Sequence, residues 1–533
     1  MTGLFHHFQK RGTDDRLDVI RLLQEGLLKE ARCLMAFEGR QVSACELRGR
    51  VAQIQAQLRQ AGLKPDDRVA VMLSNSVEHI ALIYALILYG AVWIPVNVRL
   101  RGAGLAYIIE HSRPAMLVFE PEFQETVSAL SGVRPFCLNA WDDAQTASPV
   151  MIEAAEAMPH DPLCIIYTSG TTGAPKGVVF THRMLRIASE AAIMVAGIRQ
   201  GDRAFMWEPL CHIGGAQMLM IPFLVDAELH ITKRFSASRF WRQWTAAKAT
   251  HLHYLGGVLD VLMQLPASAV PPAPAIRVAW GAGVAEQAWE PIRERFVCEM
   301  RECYGMTECS SFATLNSTGR PGSIGKALPW LQVDLLDELS RPVAKGEIGE
   351  IVLSSDLEGV FFAEYLDNPE ATRNTLRGGK LHTGDLAREV AEGEYVFVGR
   401  RTDSMRVRGE NVSAWEVERV FVEHPAIKAV AAVGVAGQIG EQDILLYVQF
   451  KPGARLAWQD LVEWGSTRLA AYQLPRYYAA IEQFELTPSE RIRKNQLPKT
   501  VDRTWDRNYV KEELSNCATR KTSSSSNGAT PSV

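Results

Sequence analysis

The chain has 533 residues, 47% hydrophobic and 22% charged, with a net charge of −4. That length predicts two to four domains, and the composition is that of an ordinary globular protein. The charge balance excludes the strongly basic face of a nucleic-acid binder.

Nine cysteines are scattered from Cys33 to Cys517. An odd, sparse set in so long a chain argues against a secreted disulfide scaffold and for a reduced, cytosolic setting. The opening MTGLFHHFQKRGTDD has no apolar signal core. Residues 48–62 carry helical apolar spacing, and 68–73 read as a strand. The longest apolar run, 80–96, is broken by Gly90 and Pro95. It predicts a buried helix, a glycine turn and a buried strand over 93–97 rather than a membrane span. This alternation points to a layered α/β fold with a largely parallel sheet. No 20–50-residue repeat is present, which excludes a solenoid.

Residues 346–353 and 393–398 are short β segments between turns. Beyond Arg401 a fresh α/β unit is expected, with helices at 416–423 and 458–470 and strands at 430–435 and 445–450. The expected domains are 1–399 and 400–506. The polar, Ser-rich 507–533 is expected to be disordered.

The sharpest segment is Leu163-Cys-Ile-Ile-Tyr-Thr-Ser-Gly-Thr-Thr-Gly-Ala-Pro-Lys-Gly-Val-Val-Phe180. One strand leads in and another leads out. Gly170 and Gly173 let backbone N–H groups approach an anion. Thr168, Ser169, Thr171 and Thr172 supply hydroxyl donors to phosphate oxygens, and Lys176 supplies a point charge for a leaving pyrophosphate. The ATPase P-loop pattern is excluded, because Pro175 precedes Lys176 and Gly177 follows it. An idle hairpin turn needs only about two to five residues.

Tyr167-Thr-Ser-Gly-Thr-Thr-Gly-Ala-Pro-Lys-Gly177 resembles the signature loop of the adenylate-forming superfamily, which includes acyl-CoA synthetases and peptide-synthetase adenylation domains. The resemblance covers about residues 20–500. It implies a large N-terminal domain of layered α/β subdomains plus a β subdomain, and a small mobile C-terminal α+β domain. Within the superfamily the chain is most similar to the crotonobetaine/carnitine-CoA ligase-like group and its fatty-acid relatives.

Further motifs follow in the family's order. Glu302-Cys-Tyr-Gly-Met-Thr-Glu308 resembles the second adenylate motif. That likeness implies adenine stacking by Tyr304 beside Gly305, α-phosphate contact by Thr307, and Mg²⁺ held by Glu308. Such an ion suits one carboxylate shared with substrate phosphates. Trp280-Gly-Ala-Gly283 resembles the turn lining the adenine and acyl pockets, through Gly281, Ala282 and Gly283. Leu381-His-Thr-Gly-Asp385 resembles the ribose signature, with Asp385 and Arg400 as the ribose contacts. His212, in Cys211-His-Ile-Gly-Gly215, matches the acyl-pocket mouth, with Ile213, Gly214 and Trp280 as its neighbours. Ile213 stands where amino-acid-activating domains carry an Asp, which disfavours α-amino acids. His251, His253, Cys298, Cys303 and Cys309 lack metal-site spacing and read as packing.

Residues 399–418 resemble the family's hinge and the loop after it. The hinge position falls on Thr402 or Asp403. Arg408, Gly409 and Glu410 would line the pantetheine tunnel, and Arg401, Arg406 and Arg408 would face coenzyme A phosphates. The C-terminal stretch departs from the family pattern. Arg491 stands where a catalytic Lys is usual, with Glu490 where Gly is usual and Lys494 close by. Arg keeps the charge but is planar and bulkier.

The resemblance implies ATP-dependent activation of a small-molecule carboxylic acid to acyl-AMP, then transfer to coenzyme A, with ATP, Mg²⁺ and coenzyme A as cofactors. Loading of a carrier-protein thiol is the alternative, and no carrier domain is seen before the end of the sequence. A degenerate nucleotide-binding module, motivated by Glu490 and Arg491, is a third. A cytoplasmic enzyme without nucleic-acid partner or integral membrane segment is expected, with a homodimer as the assembly to test.

Overall fold

The computed structural model describes residues 19–29, 32–100, 102–138, 152–168, 175–271, 276–401, 404–407, 410–437, 442–469, 471, 473–486 and 492–508. The chain divides into two compact units, Met1–Thr383 with Arg388–Phe397, and Gly384–Ala387 with Val398–Val533.

In the first unit, helix Ala44–Gln60 starts at a reciprocal cap, in which Ser43 and Glu46 satisfy each other's backbone N–H. Helix Val77–Tyr89 starts at Ser76 and ends at Gly90, whose φ of 77° closes it with a left-handed cap. Nearly every residue of that helix is buried. This explains an apolar run that is hydrophobic all round. Among the described residues no helix is long and apolar enough to cross a membrane.

Six strands form one sheet, in the order Pro135–Cys137, Met116–Phe119, Arg68–Met72, Val92–Pro95, Pro162–Thr168, Lys176–Thr181. All neighbours are parallel except the last pair, which is an antiparallel hairpin. A nine-stranded sheet runs Lys326–Ala327, Ser311–Asn316, Glu299–Met306, Val278–Ala282, His251–Leu255, Arg203–Met206, Glu228–Ile231, Cys33–Phe37, Arg40–Ser43. Its six central strands are parallel. Helix His182–Ala196, almost entirely buried, follows the hairpin and packs on the nine-stranded sheet. The carboxyl ends of Arg203–Met206, His251–Leu255, Val278–Ala282 and Glu299–Met306 deliver their following loops to one edge. In open α/β sheets ligands bind at that edge. A five-stranded sheet built on Gln332–Leu336, Ile348–Ser354 and Lys380–Ala391 completes the expected layers.

The second unit has its own core of Val417, Phe421, Val430, Leu446 and Tyr478. Its sheet runs Ile427–Ala436, Gln442–Phe450, Tyr477–Ala480, Trp505–Asp506, with helix Ala414–Val422 packed on it. The helix expected over 458–470 stops at Ser466. Ser466 and Thr467 bond back to the Glu463 and Trp464 carbonyls. Such hydroxyls compete with helix continuation.

Candidate active site

In the hairpin, Thr168 pairs with Lys176 and Tyr167 with Gly177, so both ends of the loop are held in register. A side chain at Gly177 would lie 2.9 Å from Ile165, so only glycine lets the strands close there. The Tyr107 hydroxyl donates to the Pro175 carbonyl at 3.2 Å, tying the loop's exit to helix Gly102–Ser112. Ser169, Gly170, Thr171, Thr172 and Gly173 lie outside the described residues.

Lys176 and Glu308, more than a hundred residues apart in sequence, meet through Tyr365. The Lys176 ammonium lies 4.9 Å from the Tyr365 ring centroid. The Tyr365 hydroxyl donates to Glu308 Oε1 at 2.7 Å. Glu308 is buried on the short 3-10 turn Thr307–Cys309, beside buried Thr307. The chain then reverses through Ser310 and Ser311, at φ of 57° and 84°. Ser310 donates to the Val360 carbonyl, and the Phe362 N–H donates to the Glu308 carbonyl. Three segments thus converge on one cation and one carboxylate. Tyr365 was not anticipated. Its only sequence signal is an aromatic cluster, Phe361, Phe362 and Tyr365, just before the Asn368-Pro369 helix start. Among the described residues no group of three or more His, Cys, Asp or Glu could share a metal ion. Glu308, which accepts from the Tyr365 hydroxyl, fits an ion shared with substrate phosphates rather than a protein cage.

The glycine turn is gripped from below. Glu302 accepts from the Gly283 and Val284 N–H groups and from the Tyr254 hydroxyl, the last at 2.7 Å. Burial pushes the Glu302 carboxyl up to about 7, against the lowering pull of those three hydrogen bonds. A Cβ at Gly281 would lie 1.9 Å from the Tyr254 carbonyl oxygen. Tyr304 is buried, its ring 6.1 Å from that of Phe397. Gly305 approaches the Ser311 carbonyl so closely that a Cβ would sit 1.8 Å from it.

His212 caps the short helix Ile213–Ala216. Beneath Gly214 lie Glu208 and His253, which hydrogen-bond through His253 Nδ1. His253 is not simple strand packing, as the sequence suggested, but half of a buried hydrogen-bonded pair, and Glu208 was missed. The Trp280 ring centroid is 4.2 Å from that of His253, and Trp280 is fully buried. Asn75 fixes the segment by donating to the Glu208 carbonyl at 2.7 Å and accepting from the Leu210 N–H. Burial raises the Glu208 carboxyl above the usual range, with His253 opposing. Cys298, Cys303 and Cys309 are buried free thiols.

Within the second unit, Arg400 Nε lies 3.2 Å from Asp385 Oδ1, so the two expected ribose contacts stand together. Lys494 Nζ lies 2.8 Å from Glu418 Oε1, which also accepts from the Ala432 N–H. Leu486 and Ile492 form an isolated antiparallel bridge. Thr402, Asp403, Arg408, Gly409 and Arg491 lie outside the described residues, while Glu410 opens the strand Glu410–Ser413.

Residues 27–362 match the model of the AMP-binding enzyme family, and residues 416–491 match the AMP-binding enzyme C-terminal domain. Crotonobetaine/carnitine–CoA ligase of Shigella dysenteriae is 30% identical over 439 residues, covering 78% of this chain and 85% of that protein. The Escherichia coli protein of the same name is 30% identical over 443 residues, with the same shares. Among solved structures, o-succinylbenzoate CoA synthetase from Bacillus subtilis, in complex with its acyl-adenylate intermediate, matches at TM-score 0.81 and 23% identity. That match covers 90% of this chain and 98% of the other. An anthranilate CoA ligase in complex with anthranoyl-AMP matches at TM-score 0.80 and 23% identity, covering 90% and 96%.

Proposed function

The chain belongs to the AMP-binding enzyme family and is an AMP-forming acid–thiol ligase, and on that premise we propose how its residues divide the work. The enzyme uses ATP to convert a carboxylic acid to acyl-AMP, releasing pyrophosphate, and then transfers the acyl group to coenzyme A. The proposed division rests on one observation, the chain of contacts from Lys176 through Tyr365 to Glu308.

In the first step a carboxylate oxygen attacks the α-phosphorus of ATP. Thr168, the loop 169–173 and Lys176 cradle the departing phosphates, and Thr307 meets the α-phosphate. Glu308 would hold Mg²⁺, which would supply charge neutralisation to the phosphates. Gly281, Ala282, Gly283, Tyr304 and Gly305 receive adenine, and Asp385 and Arg400 receive ribose. His212, Ile213, Gly214 and Trp280 border the acyl group. Arg491 supplies the cation that bridges carboxylate and α-phosphate. The chemistry needs positioning and charge neutralisation rather than a protein nucleophile. In the second step the coenzyme A thiol attacks the acyl carbonyl and AMP leaves. Arg408, Gly409 and Glu410 line the approach, and the C-terminal domain turns at Thr402 or Asp403.

We further propose a small, medium or unusual acid as substrate, which the 30%-identical crotonobetaine/carnitine ligases support. A cytosolic homodimer without nucleic-acid partner completes the reading. The free cysteines support a reduced compartment, and the mass in solution tests the dimer. The deciding assay follows pyrophosphate and AMP from MgATP over a panel of acids, with and without coenzyme A. Acid-dependent pyrophosphate release, with acyl-CoA formed only when coenzyme A is present, is expected. ADP as product, or pyrophosphate release indifferent to acid, would refute the proposal.

A further inference from the structure

We infer that Glu208 and His253 form a polar contact in the acyl subsite, and that the enzyme's acid carries an uncharged oxygen substituent, a hydroxyl or a carbonyl, that meets His253 Nε2. The inference rests on the proposal that His212, Gly214 and Trp280 border the acyl group.

Both side chains are buried, at 3% and 4% exposure. They come from different strand ends: Glu208 follows Arg203–Met206, and His253 lies in His251–Leu255. Their hydrogen bond uses His253 Nδ1 and Glu208 Oε1. Among the described residues, His253 Nε2 has no hydrogen-bond partner, and Glu208 Oε2 is sealed without one. An imidazole nitrogen that no protein group engages keeps its hydrogen-bonding capacity for a ligand.

The location is specific. A Cβ at Gly214 would lie 3.4 Å from His253 Cε1 and 3.6 Å from the Glu208 side chain. The pair therefore lies directly against the segment assigned to the acyl group. Trp280 and Phe312 flank the imidazole, with ring centroids at 4.2 and 6.4 Å. The Trp207 indole N–H donates to the His253 carbonyl at 2.8 Å, holding that strand end in place.

The chemistry of the substituent follows. Glu208 takes the Nδ1–H, so a neutral ring offers Nε2 as an acceptor to a hydroxyl. A protonated ring offers an N–H to a carbonyl. A fully charged substituent would have to be desolvated against Trp280 and Phe312, next to a carboxylate already committed to His253. An uncharged oxygen avoids that cost, and an acid with only hydrocarbon there leaves Nε2 unpaired.

The test compares kcat/KM, by pyrophosphate release, for matched short- and medium-chain acids. One set is unsubstituted, one carries a hydroxyl or carbonyl at successive positions, and one carries a trimethylammonium group. Wild type should favour the oxygen-bearing acid at one position by about tenfold or more. His253→Phe should erase that preference while the KM for ATP stays within about twofold. Glu208→Gln, which disturbs the tautomer, should reduce it severalfold. His253→Gln keeps a polar side chain of similar size and should retain part of the preference; it also serves if the His253→Phe variant does not fold. An unchanged ratio in the His253 variants, or a preference for the cationic acids, would overturn the inference while leaving the ligase intact. If no acid releases pyrophosphate, the ligase reading falls and the inference falls with it.

Discussion

Tyr365 donates its hydroxyl to Glu308 Oε1 at 2.7 Å while its ring faces the Lys176 ammonium, 4.9 Å from the centroid. One aromatic side chain thus spaces the cation of the phosphate hairpin from the proposed magnesium carboxylate. It keeps the two from collapsing into an ion pair, which would occupy both charges that the phosphates and their ion need.

Removing that hydroxyl should therefore damage adenylation without destroying it. A hydrogen bond to a buried charge is worth about 1.5–3 kcal/mol. Tyr365→Phe is expected to slow acid-dependent pyrophosphate release roughly 10- to 100-fold and to raise the Mg²⁺ concentration for half-maximal rate. Glu308→Gln should lose at least about a hundredfold. A Tyr365→Phe enzyme with wild-type rate and Mg²⁺ dependence would show that the contact is only packing.

The two cations near the C-terminus are expected to separate cleanly. Lys494 is engaged with Glu418 inside the second unit, so Lys494→Ala and Glu418→Gln should share a lowered melting temperature of that unit. Adenylation should stay within about tenfold of wild type in both. Arg491→Ala should lose about a hundredfold or more in adenylation, with melting unchanged. Full activity in the Arg491 variant would remove that residue from the mechanism.

Glu302 makes stability depend on pH in a definite direction. Its folded-state pKa of about 7 lies above the ordinary 4.5. The folded protein therefore binds this proton more tightly than the unfolded chain does. The contribution is fully present below pH 4.5 and is lost as pH rises through 7. Tyr254 and Cys303 are its titratable neighbours. Denaturant unfolding at pH 5 and pH 8 should show wild type losing up to about 3 kcal/mol relative to Glu302→Gln. Parallel pH profiles for the two proteins would contradict the assignment.

Two glycine-to-alanine changes should have opposite outcomes. At Gly305 a Cβ would lie 1.8 Å from the Ser311 carbonyl oxygen, an overlap that backbone must relieve, at a cost of about 3 kcal/mol. Gly257 has nothing within 4 Å and lies in helix Gly256–Met263. Gly257→Ala should be stabilising by about 0.5–1 kcal/mol. Unfolding midpoints of the two variants report both results.

Much of the molecule was legible locally. The hairpin around Thr168 and Lys176, the helix and strand on either side of Gly90, and the small α/β unit beyond Arg401 follow from period, caps and turn residues. Those are properties of adjacent positions. Chemical identity was legible for the same reason: a run of glycines, hydroxyls and one lysine has little other use. Tyr365 and Glu208 carried no such signal, because a lone Tyr and a lone Glu are ordinary residues in any window. Likewise Lys494 looked like a spare catalytic cation until Glu418, 76 positions earlier, was seen at 2.8 Å. Parallel strands join through long crossovers, so residues that end side by side are distant in the chain. Only folding brings Lys176 to Tyr365, His253 to Glu208 and Tyr254 to Glu302, and with them the spacing, tautomer and proton affinity of the site.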